Sequence, residues 1–168
     1  MEIKNGIYPT MIVAYKESGE IDYEAMGELI EWYIKEGVHG IFALCQSTEI
    51  VYLSIEERLT LGKFVMDKVA GRVPVVMSGM TADTLEGQIE EAKLIAALKP
   101  DALVLLSNRI DNDEHYTLTE KVKLILKELP EDMSIYKSVY HDLMLTYISQ
   151  LQDEYCKEMA NRQERLPI

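Results

Sequence analysis

Apolar and polar positions follow two periods along this chain. Compact apolar runs stand at Gly6 to Ala14 (interrupted by Pro9 and Thr10), Val38 to Leu44, Val73 to Met77, Ala102 to Leu106 and Met133 to Tyr136. Short runs of this kind read as strands. Between them apolar residues recur at helical spacing. One set is Met26, Leu29, Ile30, Tyr33 and Ile34; a second is Ile55, Leu59, Val65 and Val69. A third helix is expected from Thr81 to Leu98, and Leu118, Val122, Ile125, Leu126 and Leu129 mark a fourth. The punctuation agrees. Asp22 can cap the first helix and Gly37 ends it. Ser54 followed by Glu57 is a capping box, in which the hydroxyl and the carboxylate each take a free backbone N–H. Pro74 lies near its strand's start, where a missing donor is tolerated. Gly87, inside the third helix, weakens it slightly.

Strands and helices thus alternate with a repeat of about 30 residues, the length of one strand–helix–strand unit. That alternation predicts an α/β fold with parallel strands. It leaves open whether the sheet closes towards a barrel or spreads as a doubly wound sheet. No glycine-rich phosphate fingerprint follows the first strand, which counts against nucleotide binding. From Asp142 to Arg165 the pattern changes to one charged amphipathic helix, with Met144, Ile148, Leu151, Tyr155 and Met159 on a stripe. Acids and bases are mixed on it, so it suits core or subunit packing better than a membrane surface. The expected division is therefore 1–141 for the α/β part and 142–168 for the helical segment.

Composition narrows the partners. The chain has 168 residues and a net charge of −12. That balance disfavours nucleic acid and anionic membrane, which need clustered Lys and Arg. No apolar run approaches the ~20 residues of a membrane span, and none follows the N-terminus as a signal would. Cys45 and Cys156 make no disulfide framework, so a reduced, cytoplasmic protein is expected.

Chemistry is expected where the second strand feeds the Ser54 helix. Loops at the carboxyl ends of strands carry the sites of α/β folds, and here the loop is Cys45 to Leu53. Taken alone, its Ser47 and Thr48 read as turn and cap residues. Asp111, Asp113, Glu114 and His115 are metal-ligand types, yet they lack the glycine and terminal glutamate of a calcium loop and any second cluster at zinc spacing. They read as a solvated acidic loop. His39 and Cys45 lie at opposite ends of one strand, ~20 Å apart, too far for a thiol–imidazole pair. His141 has no evident partner.

The loop also carries a resemblance. Cys45-Gln46-Ser47-Thr48-Glu49, followed by Glu56-Glu57-Arg58, resembles the active-site loop of the dihydrodipicolinate synthase / N-acetylneuraminate lyase family, which reads G-T-T-G-E and then E-E-R at the same spacing. Gly6-Ile7-Tyr8-Pro9-Thr10, the segment Gly19 to Ala25 and the turn Ala70 to Val75 are also similar to that family. Tyr136-Lys137-Ser138-Val139 lines up with its Y-N-V-P or Y-E-C-P. The likeness runs from Gly6 to His141. It departs where both loop glycines are replaced, where Ser107-Asn108-Arg109 stands for T-P-Y-Y, and where the proline after Tyr136 is absent.

The resemblance implies a (β/α)8 barrel, of which this chain supplies about five units followed by a C-terminal helix. It implies lyase or aldolase chemistry on pyruvate or a related 2-keto acid through a lysine Schiff base, with no metal and no organic cofactor, in a homo-oligomer. Ser47 and Thr48 would give donors to the keto-acid carboxylate, and Tyr136 would relay protons. The family's imine lysine lies on the sixth strand in a G-x-K-D pattern, and nothing from Leu143 onward resembles it. Lys137 is the best-placed substitute, but strand alternation sends it to the face opposite Tyr136. The alternative is a catalytically inactive truncated paralogue that survives as a structural or oligomerising protein. An unrelated open-sheet binding domain is the third reading.

Overall fold

The structure is a computed structural model that describes residues 3, 5–105, 116–130 and 135–136. The elements below belong to one unit, Met1–Tyr136. The acidic cluster at Asp111 to His115, Lys137, His141 and the expected helix from Asp142 lie outside the described residues.

Four strands, β1 (Ile41–Ala43), β2 (Val75–Met77), β3 (Ala102–Val104) and β4 (Ile135–Tyr136), form one sheet in the order β1-β2-β3-β4. All pairs are parallel. Among the described residues, α1 (Tyr23–Lys35) precedes β1, and α2 (Ile55–Val69), α3 (Leu85–Ala96) and α4 (Leu118–Lys127) fill the three connections between these strands. This order resolves the alternative left by the sequence. A doubly wound sheet reverses its strand order at a switch point. Here spatial order equals chain order, so right-handed crossovers lay successive helices on the same face. Neighbouring helices pack accordingly, α1 on α2, α2 on α3 and α3 on α4. The arrangement is part of a (β/α)8 barrel.

The first expected strand is present as a partner of β1 but not as a regular strand. His39 N–H donates to the Ile7 carbonyl (2.9 Å), Phe42 N–H to the Pro9 carbonyl (3.0 Å), and Met11 N–H to the Phe42 carbonyl (2.9 Å). Between these two segments Thr10 and Phe42 form an isolated parallel bridge. Pro9 has no N–H to give, which interrupts the ladder where it would otherwise continue.

Strand alternation sorts the sheet's two faces. Ile41, Ala43, Val75, Met77 and Leu103 join Met26, Ile30, Leu61, Val65, Ala92, Ile95 and Ile125 in one buried cluster between sheet and helices. Phe42, Val76 and Ala102 are register partners in a row on the other face. Gly40, at the entrance to β1, is where backbones crowd: a Cβ there would meet the Tyr8 ring and lie 2.8 Å from the Pro74 carbonyl oxygen.

The caps at Asp22 and Ser54 form as expected. Three expectations are corrected. The buried stripe of α2 is Arg58, Leu61, Gly62, Val65 and Val69, whereas Ile55 and Leu59 are only half-buried. The third helix starts at Leu85, capped by the Thr84 hydroxyl, rather than at Thr81. The reason is that the amides of Thr81 and Ala82 bond the Glu91 carboxylate instead of starting a helix. Gly87 therefore stands in the first turn, its amide held by Thr84. The second strand ends at Ala43, because Leu44 turns to a left-handed backbone (φ 49°).

Candidate active site

The Leu44 turn builds the site. A left-handed conformation costs a side-chain-bearing residue about 1–2 kcal/mol. Here it is held from both sides: the Leu44 side chain is wholly buried, and its carbonyl accepts a 2.6 Å bond from the Ser78 hydroxyl. The chain then makes two short 3-10 turns, Gln46–Thr48 and Ile50–Tyr52, hinged at Glu49, again left-handed (φ 56°). Leu53 leads to the Ser54 cap, where Ser54 and Glu57 exchange bonds of 3.2 and 2.8 Å.

Ser47 and Thr48 are adjacent but differently placed. Thr48 is fully buried. Its hydroxyl donates to the Met11 carbonyl at 2.6 Å and accepts from the Cys45 amide at 3.2 Å. With its one proton on Met11, that hydroxyl ties the loop to the segment before α1. Ser47 is exposed. The amides of Gln46 and Ser47 precede the turn's first internal bond, which Thr48 N–H makes to the Cys45 carbonyl (3.0 Å). Cys45 itself is buried, with Sγ 3.7 Å from the Met11 carbonyl and 3.5 Å from the Thr48 hydroxyl. His39 accepts from the Ile7 amide (3.1 Å), at the other end of β1 from Cys45.

Tyr136 is the last residue of β4 and the register partner of Val104. Because the strands are parallel, Tyr136 and the Ser47 loop stand at the same, carboxyl, end of the sheet. Three strand spacings of about 4.8 Å separate β1 from β4 along the sheet.

In the sequence Arg58 is only the last letter of the E-E-R pattern. In the structure its guanidinium is the hub beneath the loop. Nε donates to the Ser54 carbonyl (3.4 Å), one terminal nitrogen to the Gly79 carbonyl, and the other to Glu91 Oε1 (2.7 Å). Glu91 Oε2 accepts the amides of Thr81 (2.6 Å) and Ala82 (2.9 Å). Burial would raise the Glu91 carboxyl, but bonds from Arg58 and those amides overcome it and hold the group below its ordinary range. The signal available in the sequence was position: Arg58 falls on the face of α2 that also carries Leu61, Val65 and Val69.

Other features lie off the strand ends. A groove of about 480 Å³ runs between α1 and α2, lined by Tyr23, Gly27 and Phe64 with Glu24, Glu28, Glu31 and Lys68. Beside it Arg72 forks onto Glu31 at 2.8 and 2.9 Å, and this bonding drops the exposed Glu31 carboxyl to about 2. Among the described residues no group of His, Cys, Asp and Glu is arranged to hold a metal ion.

A parallel sheet in chain order, with a braced loop at its carboxyl end, defines the barrel class whose loops carry the chemistry. The profile of the dihydrodipicolinate synthetase family matches residues 4–108. The chain belongs to that family. It is 27% identical over 157 residues to 4-hydroxy-tetrahydrodipicolinate synthase of Thermoanaerobacter sp. (strain X514), covering 92% of this chain and 50% of the relative. The crystal structure of dihydrodipicolinate synthase from Aquifex aeolicus superposes with a TM-score of 0.67 at 25% identity, over 77% of this chain and 43% of that one. N-acetylneuraminate lyase from Fusobacterium nucleatum shares the fold, with a TM-score of 0.64 at 20% identity over 77% and 44%. The chain spans about half the length of the curated relatives it matches.

Proposed function

We propose that this protein performs keto-acid lyase or synthase chemistry, binding pyruvate or a related 2-keto acid at the Cys45–Leu53 loop. The observation that supports this best is the family match over residues 4–108, which contains the whole loop. In this reading the exposed Ser47 hydroxyl and the leading amides of the turn receive the carboxylate. An anion suits such a place, because the first amides of a turn have no acceptor within it. Thr48 contributes by fixing the loop on Met11, so that its neighbours present their donors. Tyr136, at the same end of the sheet, passes protons to and from the keto-acid adduct. A lysine amine condenses with the keto carbon, water leaves, and the resulting imine accepts the electrons of the carbon–carbon bond being broken. The protein works in the cytoplasm as a homo-oligomer; among the described residues no helix is long and apolar enough to cross a membrane.

A second reading rests on one sequence observation: no G-x-K-D stretch stands anywhere in the chain. It makes the protein an inactive paralogue that keeps the loop without the imine lysine. Borohydride reduction in the presence of pyruvate separates the two. The proposed function expects a reduced pyruvyl adduct on one lysine, with Lys137 the first to inspect by peptide mapping. A chain that binds pyruvate but forms no adduct is the inactive paralogue.

A further inference from the structure

The βα loops after β1 and β2 share one buried junction, and its parts come from three separate segments. Arg58 donates to Ser54, where the candidate loop ends, to Gly79 in the next loop, and to Glu91 on α3. Glu91 closes the second loop by holding Thr81 and Ala82. Ser78 returns a bond to Leu44, where the candidate loop begins. The side chains of Arg58 and Glu91 are only 5% and 13% exposed.

Buried ion pairs are poor devices for stability alone, because desolvation offsets their attraction. An apolar side chain could fill the Arg58 volume, but it would leave the Gly79 carbonyl and the Glu91 carboxylate without their partner. A lysine could not replace it either, since its single ammonium lacks the planar fork that reaches three acceptors in three directions. Gly79 fits the same design: its φ of 98° suits glycine, and its carbonyl accepts from the guanidinium.

We propose that Arg58 and Glu91 are positioning residues for the keto-acid site, joining two neighbouring loops so that the Cys45–Leu53 loop is held ready before the ligand arrives. The inference rests on the proposed function for the ligand it names, while the joining of the loops can be read without any ligand.

The experiment measures amide hydrogen exchange and pyruvate affinity in the full chain, in Glu91→Gln, and in Arg58→Ala with and without added guanidinium ion. Protection is expected to fall by roughly tenfold or more, the loss that follows removal of a buried charged partner. That loss should appear at Thr81 and Ala82 and also across the gap, from Thr48 to Leu53, and pyruvate should bind more weakly. Guanidinium should restore both in Arg58→Ala, a rescue that general loosening of the core would not allow. Loss confined to Thr81 and Ala82, or loss spread evenly through α1 and β3, overturns the proposal. If the unaltered chain fails to bind pyruvate, the functional reading falls, while the exchange pattern still decides whether the two loops are joined.

Discussion

Ser47 and Thr48 were expected to share one task, and their surroundings divide them. A substitution pair tests the division. Thr48→Val keeps the shape but strands the buried Cys45 amide and leaves the Met11 carbonyl only the weak Cys45 thiol, so denaturant unfolding should show a loss of roughly 1–3 kcal/mol. Ser47→Ala touches an exposed position and should change stability by no more than about 0.5 kcal/mol, while weakening keto-acid binding measured by titration. Equal effects of both on stability would mean that Ser47 also belongs to the scaffold. Charge acts at this scale too. The Glu91 carboxyl is held below its ordinary value in the folded state, so the unfolded chain takes up its proton first. Its contribution is present above the ordinary carboxylate range and is lost as pH falls through the folded value. Glu91→Gln should flatten the acid limb of stability against pH. For Glu31, carboxyl shifts followed by NMR should show a midpoint of about 2, moving up towards the ordinary value in Arg72→Ala.

At the scale of elements, the sequence was most informative where a signal is local. Asp22 and the Ser54–Glu57 box fixed two helix starts because a cap is a contact within one turn of chain. The apolar runs located all four strands for the same reason. The start of α3 was not legible. Thr81 and Ala82 look like helix, and only a carboxylate nine or ten residues away takes their amides. The left-handed turn at Leu44 was hidden as well, since no local rule puts leucine there; the bond from Ser78, thirty-four residues on, holds it. Arg58 was legible only as the last letter of the E-E-R pattern, because its acceptors Gly79 and Glu91 lie 21 and 33 residues away. Gly40 gives a test at this scale. Strand propensity favours Gly40→Ala, but the new Cβ would press on the Tyr8 ring and the Pro74 carbonyl. Overpacking of this kind costs typically 1–3 kcal/mol. Thermal unfolding should therefore show destabilisation, and a rise in midpoint would mean that the first segment moves aside freely.

For the whole molecule, the net charge of −12 sets the response to salt. Unbalanced carboxylates repel one another in the folded state. Raising ionic strength from about 0.01 to 0.15 M shortens the screening length from roughly 30 to 8 Å. The unfolding midpoint should rise over that range, even though exposed pairs such as Lys63 with Asp67 weaken. A falling midpoint would show that attraction, not repulsion, dominates the surface. One property of the architecture reaches beyond energetics. Through the described sheet, strands adjacent in the sequence are adjacent in space, so no described part of it waits for a distant stretch of chain to slide between its neighbours. A gene for such a protein can be cut, copied or joined between repeats without rerouting what remains.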